Sequence, residues 1–254
     1  MAPLFSIITV TYNAESTLPP TLKSVKEQTC SDYEYLIMDG ASKDSTVQLA
    51  RESGIANIRI TSEPDAGLYD AMNKAMDIAT GKYLIFLNAG DTFHTRDTLQ
   101  TIADTIKDNN YPGIVYGQTQ LVNADRRRIA DRHLSAPEHL TYRSFADGML
   151  VCHQAFIALA RIAPSYNLQY RFSADYDWCI QCPQHSRKNV YIPATIIDYL
   201  NEGVTTSNHK ASLIERFNIM RYYYGNFTAV MKHMKFIPRF IARKRHMKKC
   251  SVKE

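Results

Sequence analysis

The sequence predicts an α/β protein: a mostly parallel central sheet with flanking helices, followed by a helical C-terminal extension. Two observations predict it. Up to about residue 120, short apolar runs alternate with segments whose apolar residues recur at helical spacing, the order of βαβ units. The runs are continuously apolar rather than alternating, as strands buried on both faces must be.

Leu4–Val10 opens the chain as a β-branched strand. Ser16–Gln28 follows, with Leu18, Leu22 and Val25 on one helical face. Tyr33–Met38 is a second strand. Asp44–Ser53 is a short helix, with Ser42 as its expected N-cap. Ile55–Thr61 is a third strand, and Leu68–Ala79 an amphipathic helix that Gly81 is expected to cap. Tyr83–Leu87 is a fourth, strongly apolar strand. Thr98–Lys107 is a helix and Gly113–Val122 another strand. The second half is less regular. Arg126–Arg128 reads as a basic turn, Asp147–Leu159 as a strand edge and Ala174–Cys182 as a helix. Val190–Ile192 and Thr195–Tyr199 are short strands split by Pro193. Ser212–Tyr224 is a helix rich in aromatics. The expected division is 1–210 for the α/β domain, in halves 1–120 and 121–210, and 211–254 for the extension.

With 254 residues, 45% hydrophobic and 22% charged, the chain can bury a full core and is neither disordered nor fibrous. No run approaches the ~20 apolar residues of a spanning helix. The N-terminal apolar run is too short for a signal peptide, so no leader is expected. Five cysteines, an odd count, suit a reducing cytosol better than a disulfide framework. Cys179 and Cys182 lack the second pair a zinc site needs and read as two small helix residues.

In a doubly wound sheet, ligands bind where the parallel strands end. The first strand is followed by Thr11-Tyr12-Asn13 and the second by Asp39-Gly40-Ala41-Ser42. The third is followed by Glu63-Pro64-Asp65-Ala66-Gly67 and the fourth by Asn88-Ala89-Gly90-Asp91. Turn chemistry explains one such sequence. Four on one edge of one sheet point to a binding crevice. No GxGxxG follows the first strand and no GxxxxGK[ST] occurs, which disfavours a dinucleotide site and a P-loop. Carboxylates repel phosphate. A phosphate ligand here would come with a divalent cation, for which Asp91 is the best placed ligand.

The segments SIITVTYNAESTLPPTLKSVKEQ, YLIMDGASKDST and EPDAGLYDAMNKAMDIATGKYLIFLNAGD, in that order, resemble the family-2 glycosyltransferases of the GT-A fold. The third is especially similar to members that assemble bacterial polysaccharides. The likeness covers about residues 4–120 and extends through HQAF (153–156) and SADYDW (173–178). It implies a Rossmann-like GT-A sheet and inverting transfer of a sugar from a nucleotide-sugar donor, UDP-linked by family preference. The implied acceptor is a hydroxyl of a saccharide or lipid-linked saccharide. The resemblance places Thr11, Tyr12, Asn13 and Ser42 at the nucleotide pocket, with Asp39 accepting a hydrogen bond from the base. Asp65, Gly67, Asp70, Asn73 and Lys74 would line the donor sugar and phosphates. Asp70 and Asn73 share a helix face; Lys74 reads equally as a phosphate partner or a solvated lysine. Asp91 takes the place of the last aspartate of the family's DxD-like motif and would hold Mg2+ or Mn2+. Asn88 and Gly90 stand where many members carry acids. The other reading of Asp91 is a turn aspartate.

Displacement at the anomeric carbon needs a base for the acceptor hydroxyl and stabilisation of the leaving diphosphate. A metal would supply the second as a Lewis acid. Asp175 matches the last residue of the family's Glu-Asp pair, which serves as base; Ala174 replaces the Glu. Asp175 and Asp177 diverge on a helix, so Asp177 reads as acceptor-binding or as a helix-start acid. His153, with Gln154, lies near the acceptor by resemblance, or is a packed histidine. Gly203-Val204-Thr205-Thr206 resembles a loop that closes over the donor, and His209 could be a further metal ligand.

Net charge is unevenly spread. From Lys232 to Glu254 there are nine Lys or Arg against one acid, a net +8; the whole chain carries +5, so the rest carries −3. Phe236, Ile237, Phe240 and Ile241 lie among these cations. That pattern reads as a membrane-surface anchor or as a solvated tail. No nucleic-acid motif accompanies it. The expected location is cytoplasmic, peripheral at the inner face of the cell membrane if the tail binds lipid. Two other functions compete. A nucleotidyltransferase making the sugar nucleotide is disfavoured, because VTYNAEST lacks a Gly-rich loop and a basic residue. A non-catalytic carbohydrate-binding or scaffold protein is kept open by Asn88, Gly90 and Ala174.

Overall fold

A computed structural model describes residues 2–201 and 209–250, with the backbone alone at 209 and over 235–250. The strands are β1 (Phe5–Thr11), β2 (Tyr33–Asp39), β3 (Ile58–Ser62), β4 (Tyr83–Phe86), β5 (Thr92–Phe93), β6 (Ile114–Val122), β7 (Arg128–Asp131), β8 (Phe156–Leu159) and β9 (Asn189–Leu200). The helices are α1 (Leu18–Lys26), α2 (Thr46–Glu52), α3 (Leu68–Ile78), α4 (Thr98–Asp108), α5 (Ala174–His185) and α6 (His209–Cys250).

One sheet runs β3-β2-β1-β4-β8-β6-β9-β5, with β7 added on β6. β3, β2, β1 and β4 are parallel, as the apolar runs predict. β8 then enters antiparallel to both β4 and β6. The sheet is curled and mixed, the GT-A arrangement. All seven residues of β1 and of β2 are buried. Side chains of a strand alternate between faces, so β1 feeds two cores. Phe5 and Ile7 join a cluster with α1 and α4, while Ile8 and Val10 join one with α3, α5 and α6. Each such Ile or Phe contributes ~1.5–3 kcal/mol by burial.

Several expectations are corrected. Ser42 does not cap α2, which starts at Thr46 after Ser45; its side chain belongs to the site below. Gly81 does not cap α3, which ends at Ile78. A Cβ on Gly81 would stand 2.4 Å from the Ser6 backbone nitrogen, so the residue serves a close chain approach. Asp147–Leu159 contains 3-10 turns before the short β8. Pro193 does not split β9. It falls where the pairing of β6 with β9 shifts register, which absorbs its missing donor. Arg126–Arg128 is the tip and start of a hairpin between β6 and β7.

α6 is broken at Gly225, whose φ of 80° only glycine adopts freely. Beyond it the chain turns back. The Phe217 and His233 rings meet with centroids 4.9 Å apart, and Ala229 is buried in the core. The proposed lid at Gly203–Thr206 and the side chain of His209 lie outside the described residues, as do the side chains of the basic tail from Lys235 onward.

Candidate active site

The parallel register aligns Thr11, Asp39 and Ser62 side by side at the carboxyl ends of β1, β2 and β3. Asp39 is the centre of this row and is buried. Its carboxylate accepts from Thr11 Oγ1 (2.9 Å), Ser42 N (2.9 Å), Ser42 Oγ (2.5 Å) and Ser62 Oγ (2.7 Å). Four donors fill the four lone-pair positions of an ionised carboxylate. Burial alone would raise the pKa of Asp39, but the bonds from Ser42, Ser62 and Thr11 outweigh it and hold the group below the usual range. Asn13 ties the rim together: its amide N donates to Ser42 Oγ (2.8 Å) and its Oδ1 accepts from Lys43 N (3.0 Å). Beside it Tyr12 is 67% exposed, an aromatic face open to a ligand.

The segment after β3 crosses this rim. A Cβ on Gly40 would lie 2.5 Å from Asp65 Oδ2 and 3.4 Å from Tyr12, so Asp65 rests directly on Gly40. Asp65 Oδ1 accepts from Gly67 N (2.8 Å), and Asp70 Oδ2 accepts from Ala66 N (3.0 Å), which fixes the turn into α3. Two residues after Gly67, on the first turn of that helix, the Tyr69 hydroxyl donates to Asp175 Oδ1 (3.1 Å). Asp175 is half-buried at the start of α5. The chain thus leads from Asp65, packed on Gly40 next to Asp39, through Gly67 into the helix whose Tyr69 bonds Asp175.

Other expected site residues are engaged elsewhere. Asn73 exchanges two bonds with the Tyr166 backbone (3.0 and 2.7 Å), tying α3 to the loop before α5. Lys74 pairs with Glu63 (2.9 Å) and Asp70 (3.6 Å), so it serves as a solvated structural lysine in this structure. His153 is buried: its Nε2 meets the Tyr166 hydroxyl at 2.7 Å and its ring stacks on Phe86 with centroids 5.0 Å apart. Burial pushes its pKa down to about 4, with Asp175 opposing, so it is neutral near pH 7. It is a packed histidine in this structure. Asp177 is buried too and accepts from Tyr223 (2.9 Å) and Gln181 (2.7 Å), which anchors α6.

Asp91 ends the turn after β4. Thr21 of α1 cradles that turn, its hydroxyl donating to Asp91 O (2.8 Å) and accepting from Gly90 N (2.9 Å). The Asp91 carboxylate points inward and is 4% exposed, accepting from Gln154 Nε2 (2.8 Å) and Leu200 N (2.9 Å). Arg126, at the β6–β7 hairpin, closes over the same turn. Its guanidinium donates to Gly90 O and to Thr92 Oγ1.

Sequence reasoning missed Tyr69, Ser62 and Arg126. Tyr69 reads as the apolar face of a helix, and Ser62 stands one residue beyond the expected strand. Gln154, expected with His153 near the acceptor, donates to Asp91. Arg126 was one of three arginines in a turn.

A curled, mixed sheet whose parallel half runs β3-β2-β1-β4, with Asp39 at the centre of the polar row on its carboxyl edge, is the arrangement of a GT-A glycosyltransferase. The comparisons agree. Residues 6–163 match the model of Glycosyl transferase family 2. A PGL/p-HBAD biosynthesis glycosyltransferase of Mycobacterium bovis is 33% identical over 219 residues, covering 84% of this chain and 79% of that protein. The chain belongs to glycosyltransferase family 2. Among solved structures, S. aureus TarS 1-349 superposes with a TM-score of 0.72 at 14% identity, over 91% of this chain and 72% of that one. Its complex with UDP-GlcNAc gives 0.69 at 17% identity, over 86% and 64%. The mannosyltransferase PcManGT from Pyrobaculum calidifontis, in complex with GDP-Man and Mn2+, gives 0.61 at 15%, over 97% and 81%. These likenesses show the fold.

GT-A enzymes generally use a divalent metal. The residues at the end of β4 do not fit one. Hard cations want one or two accessible carboxylates beside the phosphate oxygens. Position 90 has no side chain, and both oxygens of Asp91 are turned inward onto protein donors. What remains is Asn88 Oδ1, a single neutral oxygen, buried and without a hydrogen-bond partner. Among the described residues, no group of three or more His, Cys, Asp or Glu could hold a metal.

Proposed function

We propose that this protein transfers a sugar, with inversion, from a UDP-sugar to a hydroxyl of a saccharide or lipid-linked saccharide. One observation carries the reading: Asp175, half-exposed, is hydrogen-bonded by Tyr69 on the helix that Asp65 and Gly67 lead into from the nucleotide rim. In this reading the donor lies between Asp39 and Asp175. The acceptor oxygen attacks the anomeric carbon while its proton passes to Asp175. The bond from that carbon to the diphosphate breaks, and its electron pair leaves with the nucleoside diphosphate. Tyr69 holds the carboxylate in position. Tyr12 stacks on the base, and the base N–H takes over the lone pair of Asp39 that Ser42 Oγ now fills.

Asp175→Asn removes the proton acceptor at nearly constant shape. General-base removal costs on the order of 10²–10⁴ in turnover, so kcat should fall by that factor. UDP should still raise the melting temperature of the variant. Wild-type turnover by Asp175→Asn would remove Asp175 from its role. An anionic membrane surface is the partner proposed for α6. No described helix is long and apolar enough to cross a membrane.

A further inference from the structure

The donor diphosphate needs positive charge at the end of β4, and no metal ligand set stands there. We propose that Arg126 takes the place of the divalent cation, so that the protein binds nucleoside diphosphates without a metal. The inference rests on the donor site proposed above.

Four observations support it. First, position 90 has no room for a ligand side chain. A Cβ on Gly90 would lie 2.7 Å from Leu200 Cδ2, and its φ of 101° disfavours any L residue. Second, the Asp91 carboxylate is buried and both its oxygens are taken by Gln154 and Leu200 N. Third, Arg126 reaches the turn itself. Two of its N–H groups bond Gly90 O and Thr92 Oγ1, and the other three have no partner among the described residues. Fourth, none of the described carboxylates forms an ion pair with it. Asp198 and Asp91, whose fields reach it, are bonded by other groups: Asp198 by His94 (2.7 Å) and Gln120 (2.8 Å), Asp91 by Gln154 and Leu200 N. An unpaired guanidinium with free donors is suited to phosphate, which it meets with two parallel bonds and low cost of dehydration.

The backbone is arranged to deliver it. Arg126 sits in the left-handed region with φ of 63°, a conformation L side chains rarely adopt. The hairpin enforces it through Arg126 N to Asn123 O (2.9 Å) and Arg127 N to Asn123 Oδ1 (2.8 Å). Asn88 Oδ1, buried and unpartnered, offers a ligand hydroxyl a neutral acceptor where an aspartate would repel the diphosphate.

The test is binding, read by calorimetry and by melting temperature with UDP and GDP as probes, in EDTA and in Mn2+. The expected result is one diphosphate bound with the same Kd under both conditions. Arg126→Ala should raise that Kd at least tenfold and Arg126→Lys less, with the melting temperature of each unliganded variant recorded as a check on folding. Binding that requires Mn2+ in the wild type overturns the inference and leaves the donor site standing, whatever the variants do. So does an unchanged Kd in a folded Arg126→Ala. No binding of either diphosphate under both conditions overturns the donor site, and the inference with it.

Discussion

Asp91 and His153 differ in sign but share a cause. Burial pushes the Asp91 carboxyl up to about 7, against bonds from Leu200 N and Gln154 and the nearby charge of Arg126. Its folded pKa thus exceeds the unfolded value near 3.9. Between these two pH values the folded chain binds the extra proton, so stability falls as pH rises. Three pH units correspond to about 4 kcal/mol at most. His153 runs the other way: its folded pKa of about 4 lies below an unfolded value near 6.5, so stability falls as pH drops through that window. The two nearly cancel in the wild type from pH ~4 to ~6.5. Asp91→Asn separates them. In urea titrations the wild type should lose on the order of 3 kcal/mol relative to Asp91→Asn between acid and mildly alkaline pH. A constant difference across that range would mean that Asp91 ionises normally. At this scale the sequence is readable where a residue's neighbours follow from register, as with Thr11 and Asp39. It is opaque where the fold brings distant chain together. Nothing near Asp91 in sequence announces Gln154, Leu200 or Arg126, and Tyr69 meets Asp175 across 106 positions.

Among the elements, α6 has a duty toward the site that no local pattern announces. Glu215 accepts from Arg171 N (2.9 Å) and Phe172 N (2.8 Å), Ser212 pairs with Ser173 (3.0 Å), and Tyr223 holds Asp177. All of these contacts fall on the three residues before α5 or on its first turn, where Asp175 stands. Removing Glu215 leaves two backbone donors without their acceptor, a loss of ~1–3 kcal/mol where such groups stay dry. Glu215→Ala should therefore lower kcat severalfold through a loosened Asp175 while leaving the Kd for UDP unchanged. A change in UDP affinity alone would show that α6 acts on the donor site instead. The parallel elements were legible because β1, β2 and β4 are buried on both faces and so must be continuously apolar. β5 has two residues and β7 is exposed throughout, so neither leaves a hydrophobic signature. β8 is apolar, but its antiparallel direction is decided by the long connection before it, not by its four residues.

On the scale of the whole molecule, the separation of charge acquires a geometry. The body is acidic and the positive charge sits beyond Lys232. After the break at Gly225, one side of the helix faces inward, with Ala229 buried, His233 against Phe217, and Lys232 paired with Asp147. The opposite side presents Phe227, Val230, Met231 and Met234, spaced i, i+3, i+4 and i+7, with Phe227 80% and Met234 59% exposed. An exposed apolar row leading directly into a basic stretch matches a helix lying in an anionic lipid surface, where apolar burial and cation attraction add. Such binding should appear as flotation with vesicles containing phosphatidylglycerol, weaken with salt as the charges are screened, and vanish with phosphatidylcholine alone. Phe227→Asp with Met231→Asp should weaken it at least tenfold. Because these side chains are exposed, the melting temperature and turnover on a soluble acceptor should hardly move. If the doubly substituted protein floats as the wild type does, the apolar row is not the docking face. If neither floats with anionic vesicles, the basic extension serves some partner other than lipid, and the acceptor must be brought to the site by other means.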